Sequence, residues 1–564
     1  MKVLITTLNS KYIHTALALR LLYVATKDQF DVNFKEYTIK DDLNMIKEDL
    51  LQMNLDVLAF STYIWNVEYI KKLTTLLKQQ QPNLKIILGG PEVSYEPAYF
   101  LNHFDIDFII SGEGEITFKK LLQAISNDGN YNIAGVSYIQ DQKVIINDTI
   151  KNCDLSEIEK LPSPYLLERD LKHIQDRIVY FESSRGCPYQ CQYCLSSLEK
   201  GVRFFSIDYI QKQLKAIIDA GAKTIKFLDR SFNVNPNLAL QILKFIVENH
   251  RPNQQFQFEI NADVLDQRII DYVNEYAPSH LIRFEIGIQS TYEPTNVAIK
   301  RHQDFQRLSE VILSLVKADK VELHLDLIAG LPYESYDRFK QSFDDVFAFR
   351  AKELQLGFLK MLRGTNLRKN AKDYDYNYQE EAPYEMIDNH VLTMKERNHI
   401  HIAEDMLEKY WNSGRCYRTL NYLFDHHFSS PFDFFHDFGI YYQQQNFKTM
   451  GYQTDELFKY LYEYLKSQNI DALAYLIEDY LMLFKIKPKK WWQVTMDTKM
   501  RKQFIRQLLN SPAIQQINLN QEQLYRYTIV EKINNLYIVC CYQNYQARLY
   551  KIIETKGVYQ LSLD

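Results

Sequence analysis

The chain has 564 residues, 46% hydrophobic and 24% charged, with a formal net charge of -5. That length exceeds a single hydrophobic core and predicts three or more units at about 100–200 residues each. The composition is that of a folded globular protein, and the slight acidity offers no basic field for a phosphate backbone, so nucleic acid is not an expected partner. Polar residues interrupt the first apolar run, MKVLITTLNSKYIHTALALRLLY. It therefore predicts neither a signal peptide nor a membrane span, and a cytoplasmic protein is expected.

From the N-terminus, short apolar runs recur at Val3–Leu8, Val32–Tyr37, Leu55–Ser61, Leu84–Gly90 and Ile106–Gly112. Between them, sets such as Leu17, Leu21 and Val24, then Ile70, Leu73 and Leu77, keep helical spacing. Strands apolar on both faces and separated by helices predict a Rossmann-like (flavodoxin-like) parallel sheet over residues 1–140. Ligands of such sheets sit beyond the strand C-termini, here the turns Asn9–His14, Ser61–Asn66, Gly89–Ser94 and Ser111–Thr117. GEGE within the last turn is not GxGxxG, so a nicotinamide cofactor is not expected.

Residues 141–172 read as a linker, with the prolines of Leu161–Leu166 disfavouring helix. The stretch ESSRGCPYQCQYCLSS then places Cys187, Cys191 and Cys194 on one short loop. An iron–sulfur cube normally takes four cysteines, so three leave one iron open. A zinc site would want a fourth Cys or His close by, and none follows. Seven cysteines, three of them crowded at one loop, suit a reducing compartment better than a disulfide framework.

After the loop, apolar runs return at Lys223–Asp229, Gln255–Asn261, Ile282–Ser290, Leu323–Gly330 and Leu354–Lys360. With the run before Cys187 they predict a partial (β/α)6 barrel over 173–380, its site at the strand C-termini. Polar residues cluster at those ends, among them Asn261, Glu285, Asp326 and Arg363, either facing a ligand or pairing with one another. Residues 381–564 read as a mainly helical domain ending in a small β-meander. Cys416 and the adjacent Cys540 and Cys541 are expected to be structural, and the basic KIKPKKWW run a solvated segment.

The cysteine spacing, with Tyr193 directly before the last, resembles the cluster loop of the radical S-adenosylmethionine (SAM) superfamily. The GGP and GEGE turns ahead of it resemble the cobalamin-binding domain of its cobalamin (B12)-dependent members, over roughly the first quarter of the chain. The resemblance implies a [4Fe-4S] cluster on Cys187, Cys191 and Cys194 with SAM on the open iron. SAM contacts are then expected from Tyr193, Asp229, Arg230, Glu259, Gln289 and Gly330. Cobalamin contacts are expected after successive strands: Asn9 and His14; Ser61, Thr62 and Tyr63; Gly89, Gly90, Pro91 and Glu92; Gly112, Glu113, Gly114 and Glu115. None of the thirteen histidines lies in the Asp-x-His-x-x-Gly motif that supplies a lower axial ligand elsewhere, so cobalt is expected to lack that ligand.

The implied activity is reductive cleavage of SAM to a 5′-deoxyadenosyl radical, with methyl transfer to an unactivated carbon of an unknown substrate. An electron donor such as flavodoxin or ferredoxin would serve it, with no membrane partner. A non-methylating rearrangement, cyclisation or sulfur insertion is the alternative within the same chemistry. A non-catalytic metal or cobalamin sensor is the alternative of another class. Methylthiotransferases carry an additional N-terminal cysteine trio, whereas here no cysteine precedes Cys153.

Overall fold

A computed structural model describes residues 1–127, 129–147, 152–199, 201–555 and 558–562. The chain divides into two compact units, 1–351 with 355–397, and 352–354 with 398–564. The first unit opens on strands β1 (Lys2–Asn9), β2 (Asp31–Thr38), β3 (Val57–Ser61), β4 (Lys85–Gly89) and β5 (Phe108–Ile110). An antiparallel pair, β6 (Val136–Gln140) and β7 (Lys143–Ile146), continues the sheet, in the order β2-β1-β3-β4-β5-β6-β7. Strands β1 to β5 pair in parallel, and their 2-1-3-4-5 order is that of flavodoxin-like sheets. Period-two alternation sends Leu4 and Leu8 of β1 into one core with Ile70, Leu73 and Leu77. Val3 and Ile5 enter the other, with Leu19 and Phe118.

The barrel begins at β8 (Ile178–Phe181), and a hairpin of β9 (Ser184–Cys187) and β10 (Gly201–Phe204) follows it directly. Five strands complete its sheet: β11 (Thr224–Phe227), β12 (Gln255–Ile260), β13 (Ile282–Gln289), β14 (Glu322–Ala329) and β15 (Glu353–Phe358). Their order is β15-β14-β13-β12-β11-β8, and β8 through β14 pair in parallel. Five of the intervening helices start at a capping side chain: Ser206, Asn235, Asp266, Asp304 and Ser335 accept backbone N–H bonds at the N-termini.

The division between units falls after Arg397 rather than near residue 380. The intervening segment packs on the barrel. Met386 lies against Gly330, Lys360 bridges to Glu385, and Arg397 donates to the Met386 carbonyl at 2.6 Å.

The second unit is mainly helical. Asp479 accepts from the Thr419 N–H and hydroxyl, both at 2.8 Å, and so caps the helix Tyr417–His426. Four antiparallel strands at Thr528–Ile533, Leu536–Gln543, Gln546–Thr555 and Val558–Leu561 close it in sequential order. Cys416, Cys540 and Cys541 are all buried. No helix among the described residues is long and apolar enough to cross a membrane.

Candidate active site

Within the first unit, the C-terminal ends of the two parallel sheets face each other, held by ion pairs on both flanks. On one flank the turn after β5 meets the hairpin after β8. Glu113 is bound by Arg203 and lies 3.6 Å from Arg185, while Glu115 takes an Arg185 N–H at 2.6 Å. On the other flank the turn after β4 meets the chain beyond β15. Glu96 pairs with Arg363 at 2.7 Å, and Glu92 accepts the Tyr384 hydroxyl at 2.6 Å. After β1, His14 Nδ1 and the Tyr180 hydroxyl share a 2.8 Å hydrogen bond.

Between these flanks lies the cysteine loop. Cys187 ends β9, and Gly186 before it needs a glycine twice over: its φ is +94°, and a Cβ there would collide with the Gly201 carbonyl across the hairpin. The loop is fastened at Gln192, whose N–H reaches the Ile299 carbonyl at 2.9 Å and whose carbonyl accepts from Leu367 N–H at 3.0 Å. Burial raises the Cys187 thiol, against a Tyr189 backbone hydrogen bond that lowers it, and Cys194 and Cys191 each add to the rise. Among the described residues no three His, Cys, Asp or Glu side chains close on a single ion. A cube instead takes one thiolate at each of three separate iron corners, so three thiols on one loop suit it.

The expected SAM positions divide into two kinds. Asp229 is spoken for: it accepts the Ser183 N–H at 2.9 Å and the Ser183 and Ser184 hydroxyls at 2.6 Å, tying β11 to the chain after β8. Gly330, at φ +90°, is packed against Met386 and accepts the Tyr376 hydroxyl at 2.7 Å. Glu259 and Gln289 remain open. Burial raises the Glu259 carboxyl, and Gln289 Oε1 is buried without a hydrogen-bond partner, on a bulge with φ +71°. Exposed Arg230 bears electrostatically on Cys187 and Glu259 of the barrel and on Tyr63 and Tyr95 of the first sheet. Tyr193 stands beside Cys191 and Arg301, and burial raises its hydroxyl. Glu285 and Asp326, expected near strand ends, lie within β13 and β14 and pair with barrel neighbours, Glu285 with Lys226 at 2.7 Å and Asp326 with His324 at 2.8 Å.

The expected cobalamin positions divide likewise. Ser61 and Thr62 are buried at the end of β3, and Thr62 Oγ1 has no partner. Gly90, at φ +107°, lies so close to Thr62 that a Cβ would stand 2.5 Å from its carbonyl oxygen. Ser94 Oγ donates to the Gly90 carbonyl at 2.8 Å and accepts the Gly112 N–H at 3.1 Å, joining two turns. Gly89 and exposed Pro91 flank Gly90, and the Tyr63 ring stacks on Trp65 at 4.3 Å. An unpartnered hydroxyl and bare glycine turns beyond a parallel sheet fit a large planar ligand approaching the backbone. Asn9 instead bonds the His14 carbonyl at 3.0 Å and Glu36 at 3.2 Å, and Gly114 caps the helix Glu115–Ser126 against Leu22. Glu92, Glu113 and Glu115 are turned to the barrel's arginines and tyrosine.

Arg185, Arg203, Arg301 and Tyr384 escaped the sequence reading. Arg185 lies inside the cysteine stretch, two residues before Cys187, but of its acidic partners only Glu182 is near in sequence, and Glu113 and Glu115 lie far back in the chain. Arg301 approaches Cys191 and its burial lowers, while Tyr193 and Cys191 raise, its pKa, for a net rise.

Burial pushes the Glu92 carboxyl up to about 7, against the pull of the Tyr384 hydroxyl and Arg363. A folded-state value above the ordinary 4.5 means the fold favours protonated Glu92. That contribution is complete below 4.5 and is lost as pH rises through about 7. Glu92→Gln is therefore expected to match the natural chain near about pH 5 and to exceed it by about 2 kcal/mol near about pH 8. Urea unfolding of the first unit at both pH values checks this.

Three family models match the chain: B12 binding domain at residues 3–122, radical SAM superfamily at 181–346, and protein of unknown function (DUF4080) at 372–552. The chain is 27% identical over 311 residues to the cobalamin-dependent radical SAM methyltransferase TokK of Streptomyces tokunonensis, covering 50% of this chain and 44% of that one. It is 30% identical over 241 residues to the uncharacterized methyltransferase PH0819 of Pyrococcus horikoshii, covering 40% and 51%. The chain thus spans about half the length of these curated relatives. The solved structure of the cobalamin-dependent SAM radical enzyme OxsB with aqua-cobalamin aligns over 92% of this chain and 76% of that one, at TM-score 0.59 and 15% identity, a likeness of fold.

Proposed function

We propose that this chain, which joins a B12-binding domain to a radical SAM domain, is a cobalamin-dependent radical SAM methyltransferase acting on an unactivated carbon. The observation carrying this reading is the meeting of the two sheets at their ligand-binding ends, with the three cysteines between them. When bound, the cluster supplies the electron that cleaves SAM to a 5′-deoxyadenosyl radical, and cobalamin carries the methyl group.

The chain's own residues bind, orient and shelter. Cys187, Cys191 and Cys194 hold the cluster, and Glu259 with the free Gln289 oxygen offers acceptors to SAM at the mouth of the barrel. Thr62 Oγ1, Gly90 and Gly112 receive the corrinoid on the opposite wall. The ion pairs on both flanks hold these walls at a constant separation and limit water between them, as a reactive carbon radical requires. No side chain needs to act as a general base. Electrons come from a flavodoxin- or ferredoxin-like donor, and the substrate enters between the walls.

Anaerobic reconstitution with iron, sulfide and hydroxocobalamin tests the reading. The expected result is about four irons and one corrinoid per chain, with reductant-dependent release of 5′-deoxyadenosine from SAM. Corrinoid-free protein that still cleaves SAM would remove methyl transfer and keep the radical chemistry. Protein that takes up iron but releases no 5′-deoxyadenosine would be a sensor.

A further inference from the structure

The two arginines of the hairpin that ends in Cys187 stand directly opposite each other: Arg185 pairs with Arg203 across β9 and β10. Like charges in register repel, so the hairpin alone would favour another arrangement. Here three carboxylates offset them. Glu182, the residue directly after β8, reaches Arg185 at 2.9 Å, and Glu115 reaches it at 2.6 Å. Glu113 bridges both arginines and also accepts the Cys153 N–H at 2.8 Å. The Arg185 side chain is only 9% exposed, which removes most of the solvent screening that makes surface pairs weak.

These contacts form one continuous chain of short bonds between the walls. The Gly90 turn is bonded through Ser94 to Gly112, the residue before Glu113. Glu113 is paired with Arg185, and strand β9 leads from Arg185 through Gly186 to Cys187. The packed groups have little room for continuous adjustment, because Gly186 and Gly90 each lie against backbone a Cβ would strike. A ligand that fixes the Gly90 and Gly112 turns therefore also fixes the carboxylates that set the position of Cys187.

We propose that Arg185 and Glu113 are positioning residues that couple corrinoid binding on the first sheet to assembly of the cluster loop, so that each cofactor strengthens the hold on the other. This rests on the function proposed above. Linkage makes the coupling reciprocal, and it is measured as the change in affinity for one ligand when the other is present.

The test measures hydroxocobalamin affinity of the full chain by absorbance titration, with and without the reconstituted cluster. The natural chain is expected to bind at least about fivefold more tightly when the cluster is present. Glu113→Gln is expected to reduce that ratio to below about twofold. Arg185→Lys, which keeps the charge and loses the two-pronged donor, is expected to fall between them. A Glu113 that merely touched corrinoid would weaken both titrations equally and leave the ratio unchanged. Glu115→Gln removes one Arg185 contact and supplies a second reading should Glu113→Gln fold poorly. Equal affinities in the natural chain, or an unchanged ratio in Arg185→Lys and in whichever of Glu113→Gln and Glu115→Gln folds, would overturn the coupling alone. A cluster-loaded chain that binds no hydroxocobalamin would overturn this proposal and methyl transfer together.

Discussion

Cys191→Ala is expected to lose bound iron and reductive SAM cleavage together, by more than about a hundredfold in activity. Changing a group that merely supports a metal ligand costs about 10–100-fold, so removing a ligand from a cluster with only three exceeds that range. The site offers no replacement. Cys191 is buried on a loop fixed at Gln192 from two directions, and the Arg301 guanidinium beside it is a donor, unable to bind iron. Iron and sulfide assays with 5′-deoxyadenosine quantification provide the measurement. Cys540→Ala, altered on a buried strand of the second unit, is expected to keep full iron per folded chain. Iron retained at the natural level in Cys191→Ala would show that the thiol is not a ligand.

Arg20→Met is expected to destabilise the first unit by about 3–5 kcal/mol at neutral pH, because it leaves the Asp170 carboxylate buried without its partner, while Glu36 keeps Arg177 at 2.7 Å. Arg20 is fully buried and donates to Asp170 at 2.6 and 3.0 Å and to Glu36 at 3.1 Å. It thereby ties the helix Leu17–Thr26 and strand β2 to the helix Glu168–Leu171 that leads into the barrel. Burial alone would raise the Glu36 carboxyl, but Arg20, then Arg177, pulls it down to about 2. A lowered folded-state value contributes stability above the ordinary 4.5 that disappears as pH falls through about 2, so acid should narrow the gap between variant and natural chain. Denaturant unfolding followed on the first unit measures both effects. A loss below about 1 kcal/mol at neutral pH would mean that water reaches the Asp170 carboxylate. Adding Asp170→Asn to Arg20→Met is expected to recover part of the loss.

Runs that are apolar on both faces, such as VLITTL and LKIILGG, were enough to read the parallel sheet. The partial barrel followed from the same signal at regular spacing. The antiparallel extension, β6 and β7, was less visible because short strands with exposed residues such as Ile139 and Ile146 lack that continuous apolar pattern. Gln289 looked like an ordinary strand end. Its positive φ arises from the bulge beside Gly287, which shows only once β13 is set against β14.

The acidic turns mark the deeper divide. GEGE and GGPE read as ligand loops because glycines beyond a parallel strand leave backbone open, yet their carboxylates answer to arginines and a tyrosine of the barrel. Glu115 and Arg185 are 70 positions apart and Glu92 and Tyr384 are 292 apart. Spacing along the chain carries the strand period, the helix period and the crowding of three cysteines, since each is an interaction between near neighbours. Which buried charge meets which depends on how whole layers dock, and desolvation then makes those distant pairings obligatory.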